Sequence, residues 1–189
     1  MTLPRRRQER DWPTLPVPFF GFRVIYEELA RVVGDSSLGT LPPFEFADRG
    51  KIAAALALPF QTSAGLELFP TVPAKTAVLF RGLVKNHGLR DGNKRLAVTT
   101  MSTFLLANGW IPRYTNLQLY RYALRVAKHR GNYPVAAIER WVRRNCRLMS
   151  DSDLRTLRAQ NRRYLAGENL FDAAFDTEKL LAAGSSGET

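Results

Sequence analysis

A polar stretch, His87–Arg95, followed at once by the apolar stretch Leu96–Ala107, is the feature that most constrains this chain. The order predicts a loop that runs into the N-terminus of a buried helix. Backbone N–H groups at such an end have no partner within the helix, and they lie at the positive end of the helix dipole. The first turn of this helix is therefore a candidate site for a phosphate group.

Three residue types in this stretch indicate a reaction at that site. His87 can take a proton from a hydroxyl group near neutral pH. Asp91 can bind Mg²⁺, which usually takes one or two carboxylates together with phosphate oxygens. Gly92 lets the backbone approach an anion closely. The combination predicts phosphoryl or nucleotidyl transfer from a nucleoside triphosphate, whereas the structural alternatives are a histidine that only supports the fold and an Asp91 that only caps the helix.

Asn93, Lys94 and Arg95 supply the first turn of the predicted helix. They can be read as an ordinary polar turn, but cations at a helix N-terminus oppose the dipole. A bound anion would offset that cost. Arg95 can hold two oxygens of one phosphate, whereas Lys94 acts as a point charge.

The nine residues read H-G-L-R-D-G-N-K-R, and they resemble the motif H-x-F-x-[DE]-G-N-[GK]-R of the Fic/Doc superfamily. The lysine at position 94 is similar to the Doc (death-on-curing) branch. The likeness covers roughly residues 44–145 and includes stretches on both sides of the motif: Leu58-Pro59, Thr62, Gly65, Phe69-Pro70, Lys75–Leu79, Asn108-Gly109, Ala123–Ala127 and Ile138–Val142.

The resemblance implies a fold and an activity. The fold would be all-α, a Fic/Doc-like helical bundle with a small β-hairpin flap. The protein would be a toxin of a toxin–antitoxin pair that transfers the γ-phosphoryl group of ATP to a protein hydroxyl, with an antitoxin protein as its partner. The implied substrate is a threonine of translation elongation factor Tu, so the activity would block translation.

The resemblance also implies roles for single residues. His87, Asp91 and Arg95 would be catalytic, with His87 as the general base and Asp91 as the ligand of Mg²⁺. The phosphates would be bound by four consecutive residues, Gly92, Asn93, Lys94 and Arg95. In the flap, Thr62 and Phe69 would contact the protein substrate, because the flap of this family holds a peptide by strand pairing.

Three positions depart from the family pattern. Leu89 stands where the family usually has Phe, and we expect this large apolar residue to keep the loop anchored. Gly88 replaces a frequent Pro, which predicts a looser loop. Val98 stands where adenylyl-transferring relatives carry a second Arg. Together with Lys94, Val98 favours phosphoryl transfer over the alternative, protein AMPylation.

The charge of the chain allows a further alternative. The 189 residues carry a formal net charge of +11 with a pI near 10.4, and arginines concentrate at the N-terminus and in the C-terminal third. Such a surface attracts nucleic acid, acidic proteins and phosphates without specificity. It fits a solvated helix face, an acidic antitoxin, or a non-catalytic scaffold that binds nucleic acid or protein.

Neither a membrane span nor a secretory signal is predicted. No run of 18 apolar residues exists, and charged and proline residues follow Arg5–Arg7 without an apolar segment. Cys146 is the only cysteine, so no internal disulfide can form. These observations predict a cytoplasmic protein.

Apolar spacing and turn residues predict the order of the elements. We expect an irregular basic and proline-rich segment over 1–20, a catalytic domain over 21–148, and a basic helix with an acidic flexible tail over 149–189. Helices are predicted at 22–33, 47–58, 71–86, 93–107, 117–127, 135–142, 154–164 and 170–183, with a hairpin or extended flap at 60–70.

Overall fold

A computed structural model describes residues 13–34 and 40–156 of the chain. Two compact units are present, Met1–Arg147 and Leu148–Thr189. Among its described residues, the first contains six α-helices: α1 (Phe19–Gly34), α2 (Arg49–Ala57), α3 (Val72–Lys85), α4 (Asn93–Ala107), α5 (Asn116–Lys128) and α6 (Val135–Asn145). The strands are β1 (Thr62–Ser63), β2 (Leu66–Glu67), β3 (Trp110–Pro112) and β4 (Cys146–Leu148), the last of which spans the boundary between the units. The helical bundle with a small hairpin confirms the predicted fold class.

Two central helices, α3 and α4, form the core of the first unit. Val78 and Phe80 of α3 are fully buried, as are Met101 and Leu105 of α4. α3 packs against α2, α4, α5 and α6, and α4 also contacts α1. Because α3 is apolar on most faces, it can be surrounded in this way without leaving polar side chains unpaired.

The ends of α2 and α3 follow from local sequence. Asp48 caps α2 by accepting a hydrogen bond from the backbone N–H of Lys51 at 3.0 Å. A short 3-10 helix that contains Pro59 ends α2, as predicted. Thr71 caps α3 by accepting from the N–H of Ala74 at 3.2 Å. These caps satisfy backbone donors that helix ends leave unpaired.

The flap, β1 and β2 with their connecting turn, is a two-residue hairpin. Thr62 pairs with Glu67, and Ser63 pairs with Leu66. The turn residues, Ala64 and Gly65, both have positive φ angles, of 50° and 77°. Positive φ at both central positions is the geometry that matches the twist of the flanking strands. All residues of the hairpin are exposed.

A second strand pair, β3 with β4, was not predicted by the sequence, which indicated a single β element. Each strand has only three residues, too few for an alternating pattern to be visible. β4 also follows directly from α6, so the helical pattern obscures its start. This pair is a correction to the predicted organisation.

The helices predicted between residues 22 and 145 are confirmed, with shifts at their ends. α1 begins three residues earlier than predicted, and α2 begins at Arg49 rather than at residue 47. Residues 151–156 are helical, and the remainder of the helix predicted at 154–164, together with the tail at 170–183, lies outside the described residues. Among the residues that the structure describes, no helix is long and apolar enough to cross a membrane.

Candidate active site

The N-terminus of α4 is open. Gly92 is the N-cap residue, and no side chain caps this helix. The first helical hydrogen bond joins the N–H of Leu96 to the carbonyl of Gly92 at 2.9 Å. The N–H groups of residues 93–95 therefore have no partner within the helix. Three backbone donors at the positive end of a dipole suit an anion, so phosphate binding at this end of α4 stays a prediction.

Gly92 is required at this position for two reasons. Its φ of +84° is a left-handed conformation that side chains other than glycine rarely adopt. An added Cβ would also lie 2.4 Å from the Cδ2 atom of Leu41. Leu41 thus packs directly on the backbone that begins α4, and this close approach fixes the open helix end.

Asn93 braces the motif loop, which we define as residues 87–92. Its side-chain amide donates to the carbonyl of Leu89 at 2.7 Å, and its side-chain oxygen accepts from the N–H of Leu89 at 2.9 Å. The Asn93 side chain thus joins the first turn of α4 to the motif loop. Phosphate binding by Asn93 stays a prediction, and its backbone N–H is a further donor at the open helix end.

Asp91 does not cap α4, contrary to one of the predicted roles. Its Oδ1 accepts from the neighbouring N–H of Gly92 at 2.6 Å, and its Oδ2 lies 3.0 Å from the guanidinium of Arg95. The carboxylate is two-thirds exposed, whereas the Arg95 side chain is mostly buried. Asp91 thus orients Arg95 one helical turn further on, and it keeps an exposed side toward solvent.

His87 lies on the loop between α3 and α4, with an exposed side chain. Its φ of +48° is unusual for a residue other than glycine and costs on the order of 1–3 kcal/mol. The carbonyl of the following residue, Gly88, accepts a hydrogen bond from the N–H of Asp48 at 2.7 Å. The N-terminus of α2 therefore fixes the strained backbone that presents His87.

Gly88 is closely packed in the structure, and a looser loop stays a prediction. It is buried, and an added Cβ would lie 2.8 Å from the Cγ1 atom of Ile52. A residue with a side chain would push the loop away from α2. Leu89 is also buried, as expected of the residue that anchors the loop. The two departures from the family pattern thus give a tightly packed loop.

Tyr26 of α1 lies beside the motif and was missed by sequence reasoning. It is buried, and its hydroxyl donates to the carbonyl of Pro42. Burial raises the pKa of this phenol, Arg95 acts to lower it, and Glu45 and Asp91 add to the increase. Tyr26 is therefore close enough to interact electrostatically with both Asp91 and Arg95. Only the apolar spacing of α1 could have indicated it, and that spacing does not separate a site residue from a core residue.

The predicted flap residues, Thr62 and Phe69, differ in exposure. Thr62 lies in β1 and is exposed, whereas Phe69 follows β2 and is partly buried. A buried lysine, Lys75 of α3, contacts the flap through an ion pair with Glu67 at 2.9 Å. No local sequence pattern indicates that contact, because the two residues lie on different elements.

Asp91, the predicted metal ligand, belongs to no cluster of three metal-binding side chains among the residues that the structure describes. Within the described ranges, no group of three or more His, Cys, Asp or Glu side chains could hold a metal ion. Asp91 alone fits a cation such as Mg²⁺, which keeps several waters and takes phosphate oxygens as its other ligands. The exposed side of its carboxylate is available for that role.

Comparisons with known proteins found similarity over the part of the chain that contains the motif loop. Residues 22–105 match the model of the Fic/DOC family. One relative, called Toxin Doc, from Mycolicibacterium smegmatis, is 44% identical over 62 residues. The match covers 33% of this chain, and the chain spans about half of the relative, 48% of its length. No solved structure matches the chain.

Proposed function

Since residues 22–105 carry a Fic/DOC segment, and the similarity to a Doc toxin supports the Doc branch of the superfamily, we propose that the chain is a Doc-like toxin. It transfers the γ-phosphoryl group of ATP to a hydroxyl group of a protein. The observation that carries this proposal is the open end of α4, where three backbone donors lie in the same helical turn as Arg95, on the chain segment that follows the exposed His87. Phosphoryl transfer depends mostly on positioning and on electrostatic stabilisation, so these few groups suffice.

In the proposed reaction, His87 takes the proton of the attacking hydroxyl. The hydroxyl oxygen forms a bond to the γ-phosphorus while the bond from that phosphorus to the bridging oxygen breaks. The products are the phosphorylated protein and ADP. The backbone N–H groups of residues 93–95, with the side chains of Lys94 and Arg95, stabilise the negative charge of the phosphates.

Asp91 has two roles in this proposal. It would hold Mg²⁺, which neutralises charge on the phosphates when bound. Its Oδ2 also keeps the Arg95 guanidinium in place at 3.0 Å. Chelation of divalent ions is therefore expected to stop transfer, and Asp91→Asn is expected to weaken both metal binding and the orientation of Arg95.

Phosphoryl transfer is preferred over AMPylation because of two side chains. Val98 is apolar and buried in α4, so the second arginine of adenylyl-transferring relatives has no counterpart there. Lys94 extends from the first turn, where those relatives have a glycine. A lysine at this position adds charge at the site and restricts the space in which a nucleotide can bind.

The substrate and the partner follow from the same family. We propose that the flap holds a segment of translation elongation factor Tu that contains the modified threonine, by adding a strand to the hairpin. An antitoxin protein would cover the site until the toxin is released. The similarity to a Doc toxin supports an antitoxin partner.

Intact-mass measurement tests the proposal. Purified protein is incubated with elongation factor Tu, ATP and Mg²⁺, and the added mass distinguishes a phosphoryl group from an AMP group. Addition of a phosphoryl group is the expected result. Addition of AMP would show that the protein catalyses AMPylation instead. If elongation factor Tu stays unmodified, it is not a substrate of this protein.

A second candidate function, binding of nucleic acid by a basic surface, is favoured by a separate observation. Residues 116–145 contain seven Lys or Arg residues and one acidic residue, Glu139, which pairs with Arg143. Burial and the neighbouring Tyr133 raise the pKa of the Tyr122 phenol, and the charges of Arg125 on α5 and Arg140 on α6 both act against this rise. Cations from the two helices therefore lie near the same ring. Six cations of this surface have no hydrogen bond or ion pair within the described ranges: Arg121, Arg125, Lys128, Arg130, Arg140 and Arg144.

Salt dependence tests this second candidate. Binding of single-stranded RNA is expected to weaken steeply with salt if the basic surface contacts phosphates. Replacing Arg125 and Arg140 with Gln is expected to flatten that dependence, and replacing Arg23 and Arg31 of α1 serves as the control. An equal effect of both pairs would assign the binding to the net charge of the chain alone.

A further inference from the structure

Lys75 is the most deeply buried charged side chain that the structure describes, with 1% of its surface exposed. Removing an ammonium group from water is unfavourable unless it is paired and hydrogen-bonded. Neither the motif nor the proposed reaction uses this charge. Its presence in the first turns of the central helix α3 therefore calls for a physical role.

The contacts of Lys75 surround the flap. Its Nζ atom lies 2.9 Å from Oε1 of Glu67 in β2 and donates to the carbonyl of Pro59 at 3.3 Å. The same atom lies 5.0 Å from the centre of the Phe60 ring. Pro59 and Phe60 precede β1, so one ammonium group contacts the chain on both sides of the hairpin turn.

Apolar packing does not hold the hairpin in place. Its residues are all exposed, and Leu66 at the turn is 74% exposed. Two-stranded hairpins are at best marginally stable alone in water. The contacts of Lys75 thus supply an attachment that the apolar side chains of the flap do not.

We propose that Lys75 is a positioning residue that fixes the flap relative to α3. α3 has 14 residues and ends two residues before His87, so it is a rigid rod of about 20 Å between the flap and the motif loop. A substrate strand held by the flap would thereby be placed at a fixed position relative to the general base. This role for Lys75 rests on the proposed function, whereas the attachment of the flap does not.

Lys75 and Glu67 differ in their access to water, so the loss of one partner affects the other charge differently. Glu67 is half exposed, so water solvates its carboxylate when Lys75 is neutralised. Lys75 has no such access, and without Glu67 it keeps only a carbonyl and a ring. Lys75→Met and Glu67→Gln should therefore both release the flap, and Glu67→Gln should lower stability more.

Hydrogen exchange tests the attachment without any assay of activity. The reporter is the N–H of Leu68, which donates to the carbonyl of Gln61 at 3.0 Å and closes the hairpin. Lys75→Met and Glu67→Gln are each expected to speed its exchange about tenfold, with the amides of α4 unchanged. Glu27→Gln, which breaks the exposed Arg23–Glu27 pair of α1, is the matched control and should change nothing at Leu68.

Steady-state kinetics then test the positioning role. Both variants are expected to raise the KM for the protein substrate about tenfold while leaving the KM for ATP unchanged. Lys75→Arg keeps the positive charge, so its KM for the protein substrate should stay close to that of the wild type. Equal increases in the KM for the protein substrate and the KM for ATP would show that Lys75 supports the fold as a whole and does not position the flap in particular.

Unchanged exchange at Leu68 in both variants would overturn the inference, whatever reaction the protein catalyses. If Glu67→Gln, the more destabilised of the two variants, does not fold, Lys75→Met alone decides the outcome, because the Glu67 carboxylate that it leaves behind is half exposed and solvated. If no transfer to protein is detected with the wild-type chain, the proposed function fails while the exchange experiment still tests the attachment.

Discussion

Thr115 begins α5 with a complete capping box, in which its hydroxyl accepts from the N–H of Gln118 and the Gln118 side chain accepts from the N–H of Thr115. α4 begins at Gly92 with no side-chain cap and with two cations in its first turn. The two helices are of similar length and lie in one bundle, so the difference is not required by the fold. One helix end has its donors satisfied internally, and the other leaves them for a ligand.

This contrast identifies the site more directly than any single side chain does. A helix whose first turn carries Lys94 and Arg95 against the dipole is less stable than one without them. Asp91 relieves only part of that cost through its ion pair with Arg95. The remaining unfavourable electrostatic energy is what a bound anion would offset, and each prediction below changes one part of the comparison.

The largest effect is expected at His87, which precedes α4, and His129 at the end of α5 serves as its control. His87→Asn removes the proton acceptor and keeps a residue that tolerates positive φ, so we expect normal folding and a loss of about 10²–10⁴ in transfer rate. His129→Asn at the end of α5 is the matched control and should retain full activity. The rate of phosphorylation and the urea unfolding curve are measured for both. Full activity of the His87 variant would exclude it as the general base.

The next effect concerns Gly92. Gly92→Ala meets a left-handed backbone and the Cδ2 atom of Leu41, and we expect it to lower the free energy of unfolding by about 2–4 kcal/mol. Activity should fall beyond this loss of stability, because the donors of residues 93–95 move. ATP binding is measured by calorimetry at a temperature where the variant is folded. A variant that binds ATP as wild type does would show that the open end of α4 is not the phosphate site.

The capped N-terminus of α5 is the counterpart of the open N-terminus of α4, and a change there should affect stability only. Thr115→Ala is expected to lower the free energy of unfolding by about 0.5–2 kcal/mol. ATP binding and transfer rate per folded molecule should not change, because this end is satisfied by its own side chains. Denaturant unfolding and the same transfer assay are the measurements. A change in the KM for ATP would contradict the division between a structural and a functional helix end.

Sequence alone predicted most of the helical bundle, because burial of α3 and α4 imposes apolar spacing that is visible in the chain. It also indicated the motif loop, because His87, Asp91 and Gly92 are unusual in that order. The side-chain partners were not predictable. Asn93 turns back to Leu89, and Lys75 contacts Glu67, through geometry that no local pattern records.

The predictions at the ends of helices were wrong in places for a related reason. Asp91 is a favoured capping residue, yet Gly92 takes the N-cap position because only glycine fits beneath Leu41. The strained φ of His87 is likewise a consequence of tertiary contacts, since the carbonyl of the next residue is held by Asp48. Sequence patterns report the preferences of each residue, and long-range packing can override them at a functional site.

The smallest effect is a pair of opposite changes at two lysines. Lys94 lies in the first turn of α4 and has no hydrogen bond or ion pair to any residue within 13–34 and 40–156, whereas Lys128 lies in the last turn of α5. Because a cation is unfavourable at the first position and favourable at the second, Lys94→Ala should raise the free energy of unfolding by about 0.3–1 kcal/mol and Lys128→Ala should lower it by a similar amount.

The same lysines should behave differently when ATP is added. Lys94→Ala is expected to gain less stabilisation from ATP than wild type, because its charge contributes to binding of the phosphates, whereas Lys128→Ala should gain as much as wild type. Denaturant unfolding with and without ATP measures both effects at low salt, where the dipole is least screened. If Lys94→Ala lowered stability without ATP, its cation would already be satisfied within the protein. The open end of α4 would then carry no unfavourable charge for an anion to offset.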